Sequence, residues 1–205
     1  MRGTYERGAL LYDWVSGERT VYRSGRVAGV ELLDLSAGDT VLDIGCGTGL
    51  NFPQLVEAVG PTGRVIGLDR SPGMLARADH RVARRGWTNV TTVRADATEF
   101  TSETIGADAV DAVFATYSLS VVDDWRSAWE NSLAVLRPGG RAGIVDMRIP
   151  TTATPLLSPL ARLACAIGGA DIEAHPWTAL SEEGRDVRDV TLRAGHIVAA
   201  AATVH

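Results

Sequence analysis

At 205 residues, 45% of them apolar and 22% charged, the chain has the length and composition of one folded α/β domain, which excludes a disordered polypeptide. A net charge of −5 speaks against a protein whose main task is neutralising nucleic-acid phosphates. All 20 basic residues are Arg, so lysine Schiff-base chemistry and phosphate loops of the Gly-Lys type are excluded.

The chain opens with "MRGTYERGALLYDWVSGERT", which lacks the uninterrupted apolar stretch of a secretory signal. Residues 1–36 are read as a helical segment ahead of the main fold, with residues 1 to about 28 closing over a ligand as a lid. Its aromatic content nominates Tyr12, Trp14, Tyr22 and Arg26 as lid or pocket residues, because a phenol or indole face suits a cationic ligand. An amphipathic helix docked on a sheet explains the same residues. The arginines among Leu10, Leu11 and Trp14 suit peripheral contact with an anionic bilayer, against which stands simple docking of those apolar residues on the fold.

From residue 37 onward, short β-rich runs alternate with helical patterns. The strands are "TVLDI" 40–44, "RVIGL" 64–68, "NVTTVR" 89–94, "DAVFA" 111–115 and "RAGIVDM" 141–147. Between them, Met74, Leu75, Ala78 and Val82, then Trp125, Trp129, Leu133 and Leu136, keep helical spacing. The alternation predicts βαβ units and a mostly parallel, Rossmann-like doubly wound sheet. Gly60, Pro61 and Gly63 end one helix, Gly86 ends another, and "RPGG" 137–140 turns the chain into the fifth strand. The span 149–185 is read as an irregular insertion on the substrate side. Residues 186–195 and 196–204 form a hairpin whose last strand is antiparallel, completing seven strands in a single domain over 1–205. The apolar segment 153–170 is broken by Pro155, Pro159 and Arg162 and is too short to span a bilayer. Cys46 and Cys165 are far apart and form no metal-ligand spacing, so reduced thiols, no metal and a cytoplasmic protein are expected.

The loop "DIGCGTGL" packs Gly45, Gly47 and Gly49 beside Asp43 at the start of a helix, where bared backbone lets a nucleotide-like ligand rest against the main chain. Leu50 stands where a dinucleotide fingerprint wants its third Gly. Asp69, 20 residues after Gly49, can accept two ribose hydroxyls, while Ser71 before Pro72 is the better helix cap. Asp96 follows the third strand. Arg77, Arg81, Arg84 and Arg85 read as a solvated helix face. As bases, His175, His196 and Asp146 are weak candidates outside any catalytic motif.

"VLDIGCGTG" and the stretch from about 37 to 148 resemble the class I S-adenosylmethionine-dependent methyltransferases. The order Tyr5, Arg7, Ala9, Tyr12, Asp13 is similar to small members of the phosphatidylethanolamine N-methyltransferase and ubiquinone-biosynthesis type. The resemblance implies that residues 37–148 are the core for S-adenosylmethionine, released as S-adenosylhomocysteine, with 149–205 as insertion and hairpin. It implies that Gly45, Cys46, Gly47 and Gly49 pass beneath the amino-acid part, that Asp43 helps hold the ammonium, and that Asp96 and the Ala97 amide meet the adenine. Arg70, Met74, Thr116, Tyr12 and Tyr22 complete the implied cofactor set. "ATYSLSVVDDW" matches the motif lining the transfer channel, and the absence of Asn/Asp-Pro-Pro-aromatic there makes base or glutamine acceptors unexpected; Tyr117 could contact cofactor or substrate. The acceptor is expected to be a small molecule or lipid head group. An NAD-linked oxidoreductase and a protein that holds the cofactor without catalysis remain as alternatives.

Overall fold

A computed structural model describes residues 22–150 and 170–204. Tyr12, Trp14 and Cys165 lie outside the described residues, as does most of the N-terminal segment. The run Val41–Ile44 is apolar apart from Asp43 and buried on both faces, which suits a central parallel strand. This strand, β1 (Thr40–Ile44), pairs in parallel with β2 (Arg64–Asp69) on one side and β4 (Val110–Thr116) on the other. β3 (Val90–Arg94) pairs with β2, and β5 (Leu136–Met147) with β4, both parallel. The hairpin of β6 (Gly184–Leu192) and β7 (Ile197–Val204) completes a seven-stranded sheet of order β3-β2-β1-β4-β5-β7-β6. β7 runs antiparallel to both neighbours. The mostly parallel doubly wound sheet is therefore present as the sequence predicts.

Helices cover both faces. On one lie α1 (Arg23–Leu33), α2 (Phe52–Val59) and α3 (Pro72–Arg85), whose Leu33, Phe52, Leu55 and Leu75 pack on Val41, Val65, Phe114 and Val145. On the other, α4 (Ser102–Ile105), α5 (Trp125–Ala134) and α6 (Thr178–Glu183) bring Ile105, Trp129 and Leu180 onto Leu42, Ile66 and Ile144. α3 begins as its sequence dictates: the Ser71 side chain accepts from the Met74 N–H, Pro72 occupies the first turn, and Gly86 closes the helix at φ 67°.

Three features depart from the sequence reading. Residues 23–28, expected within a lid, begin α1, which is docked on the sheet; a Cβ at Gly29 would stand 2.4 Å from Val145 and 2.9 Å from Phe114, so only glycine lets the helix approach this closely. The 137–140 turn is a bulge inside β5: Val110 is level with Leu136 and Ala112 with Arg141. The span 149–185 contains α6, held to α5 by the Trp129 indole N–H donating to Glu183 at 3.1 Å, and β6 already begins at Gly184.

Candidate functional site

The order of strands reverses between β1 and β4, and ligands of open α/β sheets settle in the crevice beyond the strand ends at such a point. Side chains alternate across a strand, so Asp43 shares a face with Val41, and Thr116 with Phe114. Both aim at the α1–α2 side. There Asn51 Nδ2 donates to Asp43 Oδ1 at 2.7 Å and to Thr116 Oγ1 at 2.8 Å. From α1, the Arg26 guanidinium donates to Asn51 Oδ1 at 3.1 Å and to Thr116 Oγ1 at 2.9 Å. Asp43 is fully buried, and its Oδ2 has no hydrogen-bond partner. Burial pushes its pKa up to about 7, against the opposing pulls of the Asn51 bond and the Arg26 charge.

The glycine loop arches over this acid. Gly45 adopts φ 64°, and a Cβ there would lie 2.5 Å from Ser118, so its bareness serves packing. Gly47, at φ 56°, faces open space, with no atom within 4 Å of where a Cβ would be. Gly49 sits on the Phe52 ring. Cys46 is buried, its N–H donates to Leu68, and burial together with the Asp43 and Asp69 charges pushes its thiol pKa well up. Asp69 ties the loop to α3: Oδ2 accepts from the Gly47 N–H and Oδ1 from the Ser71 N–H, each at 2.8 Å. Desolvation raises its pKa in spite of those bonds. Asp96 Oδ1 accepts from the Thr98 N–H and hydroxyl, an Asx turn that lowers its pKa through the Thr98 backbone bond first. Arg70 is exposed and close enough to lower the pKa of both Asp69 and Asp96, while Met74 and Ala97 are buried beside them in sequence.

Tyr117 follows β4 with φ 52°, a strained value for a bulky residue. Its hydroxyl donates to the Tyr22 carbonyl at 3.0 Å, its ring meets the Tyr22 ring edge-on at 4.9 Å, and Arg26 lies 5.1 Å from its centroid. Met147 and Ile172 pack against this pair. Asp146 is fully buried and accepts from the Ser120 N–H, the Ser120 hydroxyl and the Met147 N–H; burial raises its pKa to about 6. It thus braces the 3-10 turn Leu119–Val121 that follows β4. His175, at φ 44°, lies against Trp177 in the turn leading to α6, ring centroids 4.9 Å apart and planes tilted by 39°, and His196 Nδ1 lies 2.7 Å from the Arg148 carbonyl oxygen. The arginine face of α3 is only partly solvated, because Arg81 is half-buried and its Nε donates to the Thr48 carbonyl of the glycine loop at 2.9 Å. Among the described residues, no group of three or more His, Cys, Asp or Glu side chains could hold a metal ion, and no helix is long and apolar enough to cross a membrane.

Asn51 is the residue sequence reasoning missed. Its place directly before α2 reads as an N-cap, yet the side chain makes no cap bond. The spacing of Asp43 and Asn51 carries no local periodicity, and only the return of the helix over β1 brings them together. Arg26 was legible as a pocket residue, but its link to β4 was not.

The arrangement offers a desolvated carboxylate for a cationic group, bare backbone at a helix start, and two further acids at successive strand ends. Residues 41–140 match the methyltransferase-domain family. A demethylmenaquinone methyltransferase of Shouchella clausii is 30% identical over 186 residues, 85% of this chain and 77% of that protein. One from Oceanobacillus iheyensis is 33% identical over 130 residues, covering 63% of this chain and 53% of its own length. An arsenite methyltransferase of Halobacterium salinarum is 29% identical over 147 residues, 68% of this chain and 35% of its own, so the chain spans about half or less of these last two relatives. Among solved structures, a phosphoethanolamine N-methyltransferase of Haemonchus contortus in complex with S-adenosyl-L-methionine shares the fold with a TM-score of 0.72 at 18% identity, over 99% of this chain and 58% of that one.

Proposed function

The chain belongs to the class I S-adenosylmethionine-dependent methyltransferases, and on that premise we propose that it moves a methyl group to N, O or C of a small-molecule or lipid head-group acceptor. The observation that carries this reading is Asp43: a fully buried carboxylate with one oxygen held by Asn51 and the other without a partner, beneath a glycine loop that is open at Gly47. A buried acceptor of that kind suits an ammonium. These residues fit the family's cofactor, which when bound supplies a sulfonium methyl already activated for in-line transfer.

Each side chain then has a task. Asp43 pairs with the ammonium, and Gly45, Cys46, Gly47 and Gly49 give backbone contact. The lone pairs that Asp69 keeps beyond its two backbone bonds receive the ribose hydroxyls, and Asp96 with the Ala97 amide meets the adenine. Met74 flanks the ring, Arg70 balances the two acids, and Thr116 and Tyr22 close the methionine end, with Tyr12 joining from the N-terminal segment. Tyr22, Tyr117, Met147 and Ile172 provide an apolar, aromatic wall for the acceptor that keeps water out. Where the acceptor arrives protonated, His175 is the group to take its proton; Tyr117, whose hydroxyl proton is donated to the Tyr22 carbonyl, lines the wall, and Asp146, its oxygens filled by Ser120 and Met147, steadies that wall from behind. The site of action is cytoplasmic, and the N-terminal arginines are the part that would rest on an anionic bilayer.

Calorimetry with S-adenosylmethionine, S-adenosylhomocysteine and NAD side by side tests the cofactor, with heat expected from the first two. Heat from NAD alone rejects the reading. Labelled methyl transfer to demethylmenaquinone, to phosphatidylethanolamine vesicles and to a soluble metabolite extract then sorts the acceptor. Salt-sensitive co-sedimentation with the vesicles distinguishes a lipid surface from a soluble source. Binding without transfer to any of them would leave a cofactor-holding protein.

A further inference from the structure

Asn51 gives up the capping bond that its residue type favours at a helix start and spends its whole amide on the strand ends instead. It is 1% exposed, and each of its polar atoms is engaged: Nδ2 with Asp43 and Thr116, Oδ1 with Arg26 and the Thr116 hydroxyl at 3.2 Å. The amide therefore cannot rotate without breaking a buried network, and Asp43 Oδ1 is pinned with it. Asp43 Oδ2 is the atom left over.

We propose that Asn51 is a positioning residue that fixes the rotamer and charge of Asp43, so that a single proton on Asp43 switches cofactor affinity. This rests on the reading of the site as one for S-adenosylmethionine. The charged and titratable groups acting on Asp43 come from three elements. Arg26 on α1 favours the carboxylate, and Asp69 on β2 disfavours it. Cys46 in the glycine loop has its thiol pushed up and stays neutral. Thr116 on β4 contributes no charge. The Asn51 bond acts on the same side as Arg26, and burial outweighs both, which puts the titration near neutrality, at about 7. Protonated Asp43 offers no charge to an ammonium, so affinity rises with pH through that point and falls below it.

Two readouts test the proposal: a carboxyl-carbon NMR titration of Asp43 in the cofactor-free protein, and calorimetry of S-adenosylmethionine binding from about pH 5.5 to about pH 8.5. In the wild type the affinity is expected to fall about tenfold per pH unit below the Asp43 midpoint. Asn51→Leu removes the bond that holds the carboxylate and should move both the NMR midpoint and the affinity midpoint upward by about one pH unit. Asn51→Asp adds a like charge and should move them in the same direction. Thr116→Val, which keeps the amide but removes its second anchor, should shift them less, and it carries the test if Asn51→Leu does not fold by circular dichroism. An affinity loss equal at every pH, with the Asp43 midpoint unmoved, overturns the proposal. Absence of cofactor heat in the wild type at any pH rejects the site reading and the switch with it. The carboxyl titration needs no cofactor, so an unmoved midpoint there rejects the Asn51 role even where the wild type binds.

Discussion

Asp69 closes the glycine loop onto α3 before any ligand arrives, since its two oxygens hold the Gly47 and Ser71 N–H groups. Asp69→Ala is therefore expected to do two things. It should weaken S-adenosylmethionine binding by about 2–4 kcal/mol, the cost of unmet ribose hydroxyls. It should also lower cofactor-free stability by about 2 kcal/mol, because two N–H groups lose their acceptor. Calorimetry and urea denaturation measure the two effects separately, and unchanged affinity would put the ribose elsewhere. Asp146 gives a prediction about pH. Its pKa is raised from 3.8 to about 6 by burial, so the folded protein holds this proton more tightly than the unfolded chain. The contribution is fully present below the ordinary carboxylate range and is lost as pH rises through about 6, amounting to about 3 kcal/mol. Asp146→Asn should remove that slope, read as the difference between wild-type and variant urea midpoints on either side of this window.

Among the elements, α1 is the one whose place depends on two small residues. Gly25 admits the Tyr117 hydroxyl, which would lie 2.1 Å from a Cβ, and Gly29 admits Val145 and Phe114. Gly29→Ala meets side chains of the core that cannot swing away and should destabilise the fold by about 1–3 kcal/mol by urea denaturation. Gly25→Ala presses on the Tyr117 hydroxyl and also on the buried Ile197 Cγ2, 2.8 Å from where a Cβ would be, and should destabilise the fold by a similar amount while loosening the Tyr117–Tyr22 contact. The lid idea survives as a proposal for the residues ahead of α1. Trypsin cleaves after Arg19, ahead of α1, and cofactor is expected to slow cleavage there, whereas Arg23 already belongs to α1; equal rates at Arg19 with and without cofactor would reject the lid.

For the molecule as a whole, the candidate site lies at the ends of β1 and β4, where the strand order reverses, beside α1 and the glycine loop. Ligand binding there links to global unfolding. At about 100 times its dissociation constant, S-adenosylmethionine should stabilise the protein by about 2.7 kcal/mol, seen as a rise in Tm, whereas NAD should leave Tm unchanged. Equal shifts with both would mean that the site does not discriminate between the nucleotides.

Local chemistry was readable from the chain directly. The β-branched runs, the Ser71–Pro72 helix start, the Gly86 stop and the glycine loop depend on residues near one another in sequence, and each stands where it was expected. The α/β class followed, because alternating strands and helices have few ways to bury their apolar faces. Other features were decided by contacts between distant residues. Asn51 was free to cap α2 until the fold set Asp43 and Thr116 beside it. Asp146 turned to a serine 26 residues away. α1 became part of the core because the sheet face formed by β5 and β7 received its glycines. Propensity and periodicity report what a residue does with its neighbours along the chain, whereas the destination of a buried polar group depends on which partners tertiary packing brings within hydrogen-bond reach.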